Sequence, residues 1–227
     1  MEIGRIQFSQ MRNRSLIMID KLIETIKAHR ANTSGVKRQS SVLIPLIMRN
    51  DTWHLLYERR SFNLKAQPGE ICFPGGSIEA IEHPRDAAIR ETCEELNLTK
   101  DDIEIIGQID SIMTSFDMLI HCYVGLLTCQ FEDIAYSKDE VDLIFTVPIA
   151  HFMQNPPTSY LIKSKFDLSE DFPFQSIPNG KDYNFKAMSY PIVFYDYDVY
   201  TIWGLTARMT EQFIGMVKRE SDPIENQ

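Results

Sequence analysis

No two cysteines in this chain stand close enough in sequence to suggest a zinc knuckle or a redox dithiol. Cys72, Cys93, Cys122 and Cys129 are dispersed, so free thiols in a reducing compartment are expected, not a disulfide framework. No apolar run approaches the roughly eighteen residues of a membrane span. The opening MEIGRIQFSQMRNR also lacks the apolar segment that directs export. Positive charge is scarce: 23 Lys and Arg against 32 Asp and Glu leave a net charge of −9, which argues against coating nucleic acid through broad positive potential. The five histidines stand singly without metal-ligand spacing, and the final IENQ is not a peroxisomal SKL address. A cytoplasmic protein with no membrane or nucleic-acid partner is the expectation.

What is present is enough apolar sequence for a substantial core. With 227 residues, 44% of them hydrophobic, one domain with an appendage is expected. Leu16, Ile19, Leu22, Ile23 and Ile26 recur at helical spacing, with Asn13 or Ser15 as N-cap, and predict a helix over about 15–29 whose apolar stripe packs on the main domain. That helix is a candidate for homodimer contacts or for capping the core. The polar run ANTSGVKRQS then reads as a connection, giving three parts: 1–36 as helix and linker, 37–220 as the main domain and 221–227 as a tail.

Within the main domain, SVLIPLIMR and TWHLLYER, separated by Asn50 and Asp51, predict a hairpin. ICF, the stretch from Ile103 to Met113 and LIHCYVGLLT predict further strands, and a helix is expected from Leu205 to Val217 with Leu205, Met209, Phe213 and Met216 on one side. From Gln154 to Asp198 the prolines suggest loops and short strands. Trp203 and the tyrosines from Tyr190 to Tyr200 fit either stacking on a base or core packing. The mixture implies an α/β (α+β) layered fold.

The segment GGSIEAIEHPRDAAIRETCEELNL carries the chemistry. His83 and Pro84 start a helix, and Asn97 ends it by taking the left-handed cap conformation. At helical spacing Ile89, Cys93 and Leu96 share one side with Thr92 beside them, while Glu91, Glu94 and Glu95 gather on the other. Three like charges at i, i+3 and i+4 repel one another. A hard divalent ion such as Mg²⁺ or Mn²⁺ offsets that repulsion; the bland alternative is a solvated acidic face with Arg90 in a surface pair. Gly76, Glu82, Arg90, Glu91, Glu94 and Glu95 fall in one pattern, G-x5-E-x7-R-E-x2-E-E, and such a pattern favours the metal.

These residues resemble the box of the Nudix hydrolases, G-x5-E-x7-R-E-U-x-E-E-x-G-U with U a bulky apolar residue. Thr92 stands at the first U and Asn97 at the last Gly, whereas Leu98 fits the final U. The resemblance implies an α/β/α sandwich with a mixed β-sheet between helices. It implies Mg²⁺ or Mn²⁺ held by Glu91 and Glu95, with Glu94 joining them or binding a second ion. Glu82 with Arg90 would hold the loop against the helix, the backbone of Gly75 and Gly76 would lie near the metal, and water would attack one phosphorus of a diphosphate.

The block just upstream is similar to a signature of coenzyme A diphosphatases, L-L-T-K-R-S-x2-L-R-x3-G-x-V-x-F-P-G-G. Leu56, Arg60, Ser61, Leu64, Gly69, Phe73, Pro74, Gly75 and Gly76 match, Arg59 and Lys65 keep charge, and Ile71 replaces Val. Tyr57 and Glu58 depart from its second Leu and its Thr. That likeness implies a small-molecule substrate, coenzyme A or acyl-coenzyme A, contacted by Arg59, Arg60, Ser61, Leu64, Lys65, Phe73, Gly75 and Gly76. Glu140, in SKDEVD, either acts as a general base or assists a metal, or is an exposed loop acid. The rival readings are a Nudix enzyme acting on ADP-ribose or another nucleoside diphosphate derivative, and a nucleotide sensor that does not cut.

Overall fold

Asn50 and Asp51 both adopt positive φ, 49° and 59°. This turn matches the twist of a two-residue hairpin, and it joins β1 (Arg38–Arg49) to β2 (Thr52–Arg60). The two strands pair only near the turn, from Leu46 opposite Leu55 to Arg49 opposite Thr52. Beyond it they part, and the chain after β2 fills the wedge. There β3 (Ile71–Cys72) pairs with the end of β2, and β4 (Gly75–Ser77) pairs with the start of β1.

The computed structural model describes residues 19, 21–29, 33–115, 117–165, 167–186 and 189–221. The chain divides into two compact units, Met1–Val36 and Lys37–Gln227. In the first, residues 21–28 form helix α1, on which Leu22, Ile23 and Ile26 are exposed, as is Ile19. Leu16 and the candidate caps Asn13 and Ser15 lie outside the described residues, as does 222–227 of the tail.

In the second unit, β5 (Ile103–Met113), β6 (Met118–Leu127) and β7 (Val141–Pro148) complete a seven-stranded sheet. Only β1 and β6 run parallel; the other pairs are antiparallel, so the sheet is mixed. Helix α2 spans Pro84–Leu96, a short α3 spans Ile149–Gln154, and α4 spans Gly204–Ser221. A second, antiparallel sheet holds β8 (Thr158–Lys163), β9 (Ser189–Tyr197) and β10 (Tyr200–Trp203).

Alternation along the strands splits the interior into two cores. Leu43, Ile47 and Leu56 meet Ala88 and Leu96 of α2 on one face of the large sheet. Ile44, Leu55 and Tyr57 meet Ala207, Met209, Phe213 and Ile214 of α4 on the other. Each fully buried Leu or Ile here stabilises the fold by roughly 1.5–3 kcal/mol. The expected layered sandwich results.

Two expectations change. Met216 is exposed, and α4 instead turns Thr206 and Thr210 inward. Their hydroxyls are satisfied there: Thr206 donates to the Ile71 carbonyl at 3.0 Å, and Thr210 shares a 2.8 Å hydrogen bond with the Tyr57 hydroxyl. The stretch expected to be loops and short strands holds the nine-residue β9, and DEVD leads into the full strand β7, which pairs along β2. The late aromatics pack: Tyr195 meets Phe152 edge-on at 5.0 Å, Tyr200 stacks on Phe145 at 3.9 Å and Trp203 on Phe194 at 6.0 Å. All four cysteines are free, and among the described residues no helix is long and apolar enough to cross a membrane.

Candidate active site

Helix α2 is bounded as its sequence suggests. His83 caps the start by accepting the Arg85 N–H on Nδ1 at 3.2 Å. Asn97 ends the helix at φ 51°, its N–H bonded to the Cys93 carbonyl. Thr92 tolerates its buried position because its hydroxyl donates to the Ala88 carbonyl at 2.7 Å.

The three glutamates of α2 do not share one outward face. Relative to Glu91, Glu95 is rotated about 40° one way and Glu94 about 60° the other. Glu94 is therefore 55% exposed while Glu95 is only 4% exposed, buried against the wedge between β1 and β2. The Gly75 N–H donates to Glu95 Oε2 at 2.8 Å. A Cβ on Gly76 would lie 2.5 Å from the Glu91 carboxylate, and one on Gly75, at φ 153°, would lie 2.4 Å from the Ser41 carbonyl. Two glycines let the backbone press against two carboxylates.

Arg90 ties the preceding loop to the helix. Its guanidinium bonds both oxygens of Glu82, at 2.9 and 3.0 Å, and the Ser77 carbonyl at 3.0 Å. It also reaches Glu91 at 2.8 Å and Glu94 at 3.3 Å. Glu82 closes the loop by accepting the Glu79 N–H at 3.0 Å, and its hydrogen bond to Arg90 holds its carboxyl below the usual range.

The wedge also holds an acid that the sequence motifs do not name. Glu58 faces Cys72 across the β2–β3 ladder and is fully buried. Its Oε1 accepts from the Cys72 thiol at 3.4 Å, and its Oε2 has no hydrogen-bond partner. Burial is the first cause that raises the carboxyls of Glu58, Glu91 and Glu95 above their usual range. For Glu95 the second cause is the charge of Glu58. The signal was strand alternation, which sends Glu58 to the same side of β2 as Leu56 and hence toward α2.

The other predicted residues distribute around this centre. Glu140 is exposed, and its charge reaches Glu58 and Glu91, while its carbonyl accepts the buried Ser61 N–H at 2.8 Å. Arg60 adds positive potential at Glu58 and Glu95. Arg59 is committed elsewhere, to Asp142 on β7, with Nε at 2.7 Å from Oδ2. Leu64 is half-buried and Lys65 exposed. Phe73 is 2% exposed and stacks on Tyr57 at 4.6 Å in the α4-side core, so its contribution is packing instead of substrate contact.

Among the described residues, no three His, Cys, Asp or Glu side chains already converge to cage an ion; Arg90 bonds Glu91 and Glu94, and the Gly75 N–H bonds Glu95. The donors nevertheless fit a hard divalent cation. They are carboxylate oxygens, they are buried together beyond what nearby protein cations neutralise, one buried oxygen is orphaned, and the Gly76 cradle keeps backbone close to Glu91.

A NUDIX domain model matches residues 37–164. Nudix hydrolase 3 of Caenorhabditis elegans is 28% identical over 81% of this chain and 75% of that protein. The peroxisomal coenzyme A diphosphatase NUDT7 of Mus musculus is 34% identical over 58% of this chain and 55% of that one. The peroxisomal coenzyme A diphosphatase ndx-8 of Caenorhabditis elegans is 34% identical over 52% of each. The match spans more than half of the 227 residues and covers the glycine cradle, the Arg90 clamp and the carboxylates of α2, so the chain belongs to the NUDIX family and is a Nudix hydrolase.

Proposed function

We propose that this hydrolase cuts the diphosphate linkage of coenzyme A or an acyl-coenzyme A, releasing 3′,5′-ADP and the (acyl-)4′-phosphopantetheine. The observation that carries the reading is the run from Arg59 to Gly76. It has the pattern of the coenzyme A diphosphatase signature, and it leads a cation-bearing loop directly into the glycines that touch Glu91 and Glu95. The two relatives named as coenzyme A diphosphatases support it.

In this reading Glu91 and Glu95 hold Mg²⁺ or Mn²⁺, and Glu94 joins from the exposed side. The ion supplies positive charge to the phosphoryl oxygens and acidifies water. Glu140 accepts the proton of the water that attacks one phosphorus, and the other phosphate departs as a monoester. Glu82 and Arg90 are positioning residues, fixing the loop 77–82 against α2. Arg60 and Lys65, which form no ion pair among the described residues, meet the substrate phosphates, aided by Ser61 and Leu64. The 3′-phosphate of coenzyme A gives these extra cations a partner.

Purified protein with Mn²⁺ is expected to turn coenzyme A into 3′,5′-ADP faster than it cuts dephospho-coenzyme A or ADP-ribose. Glu95→Gln is expected to remain folded and lose most of that activity. Faster cleavage of ADP-ribose would move the assignment to nucleoside diphosphate derivatives. No cleavage of any diphosphate with any divalent ion would favour a nucleotide sensor.

A further inference from the structure

We propose that Glu58 is an additional carboxylate ligand of the divalent-ion site, reaching it from β2 while Glu91 and Glu95 reach it from α2. The proposal rests on the reading of Glu91 and Glu95 as metal ligands and extends the site to a residue outside the Nudix box.

Position comes first. Glu58 lies where β2 has left β1 and paired with β3, opposite Cys72, and Gly75 lies three residues beyond Cys72 with its N–H on Glu95. Alternation turns Glu58 to the α2 side of the sheet, the side of Leu56, Ala88 and Leu96. The charge of Glu58 bears on Glu95, and that of Glu140 on Glu58.

Chemistry comes second. A fully buried carboxylate normally has a cation or several donors on its oxygens. Glu58 has one thiol donor on Oε1 and nothing on Oε2. A second buried acid, Glu95, feels its charge, which raises the cost of charging either one. A fully buried acid with an unpartnered hard oxygen suits a hard divalent ion.

The test is a titration of the metal-free protein with Mn²⁺, reading free Mn²⁺ by electron paramagnetic resonance, together with the metal-induced rise in melting temperature. Glu58→Gln and Glu58→Thr are compared with the unaltered chain, the Thr variant covering the case in which Gln at this position does not fold. Both measures should fall, the affinity by about tenfold or more. Folded variants that bind Mn²⁺ with unchanged affinity would overturn the proposal and leave Glu58 as a buried acid of the core. If the unaltered chain took up no Mn²⁺, the metal-site reading itself would fall, and this proposal with it.

Discussion

Arg90 and Glu82 meet in a two-pronged contact, Nε to Oε1 at 2.9 Å and Nη2 to Oε2 at 3.0 Å. The fork fixes direction as well as distance, because a planar guanidinium presents parallel N–H groups that match a carboxylate. The same Nη2 holds the Ser77 carbonyl, so one side chain sets where the loop after Gly76 lies relative to α2. Arg90→Lys keeps the charge and loses the fork. Its kcat is expected to fall by about 100-fold through misplacement of the loop, with a circular dichroism spectrum like that of the unaltered chain. A kcat within a factor of two or three would show that charge alone suffices.

The two glycines of the cradle should fail differently when replaced by alanine. At Gly75 the φ of 153° and the Ser41 carbonyl 2.4 Å from a Cβ both resist a side chain. The obstacle is backbone, which cannot swing away. Gly75→Ala should therefore lose at least about 1–3 kcal/mol of stability, visible as a melting temperature lower by several degrees. At Gly76 the obstacle is the Glu91 carboxylate at 2.5 Å, the end of a flexible side chain. Gly76→Ala should keep most of its stability and bind Mn²⁺ roughly 10- to 100-fold more weakly. Equal melting temperatures for the two variants would contradict this division.

Buried acids also set a pH dependence for the metal-free protein. Glu58 and Glu95 are held above the usual carboxylate range, first by burial. A group with a raised pKa in the folded state binds more protons there than when unfolded, so its contribution to stability is complete at low pH and declines as pH rises. For Glu95 the decline runs from the unperturbed value of 4.5 up to about 9. In chelator the melting temperature should fall across that window, and Glu95→Gln should flatten the fall. With Mn²⁺ the gain in melting temperature should grow with pH, because ligand protons must leave. A melting temperature that rose with pH in chelator would refute the assignment.

The hairpin, both ends of α2 and the Arg90 clamp were legible because each depends on a few neighbours: Asn50 and Asp51 for the turn, His83, Pro84 and Asn97 for the helix, and Glu82 eight residues before Arg90. The burial of Glu95 was not legible from helical spacing alone. It depends on which flank of α2 meets the wedge, and the wedge forms only when β3 and β4 pair with different strands. Phe73 illustrates the same limit. It matches a binding signature in sequence, yet its ring faces the α4-side core because Cys72, one residue earlier, faces α2. Glu58 stood as a departure from that signature, and only the three-dimensional pairing of β2 with β3 gave it neighbours.

Substrate choice can be probed without touching the carboxylates. Arg59 is a poor probe, since it bonds Asp142 and its removal would disturb the β2–β7 pairing. Arg60 is also compromised, because its charge offsets Glu58 and Glu95, so Arg60→Ala would alter metal affinity together with substrate affinity. Lys65 is exposed on the loop and forms no ion pair among the described residues. A charge-assisted bond from Lys65 to the 3′-phosphate would contribute on the order of 1.5 kcal/mol, close to tenfold in affinity. Lys65→Ala is therefore expected to raise the KM for coenzyme A by about tenfold, with kcat little changed. The KM for dephospho-coenzyme A, which lacks that phosphate, should hold steady. Steady-state kinetics on the two substrates decide the matter. Equal losses on both would place Lys65 on the diphosphate, and no loss on either would remove it from the site.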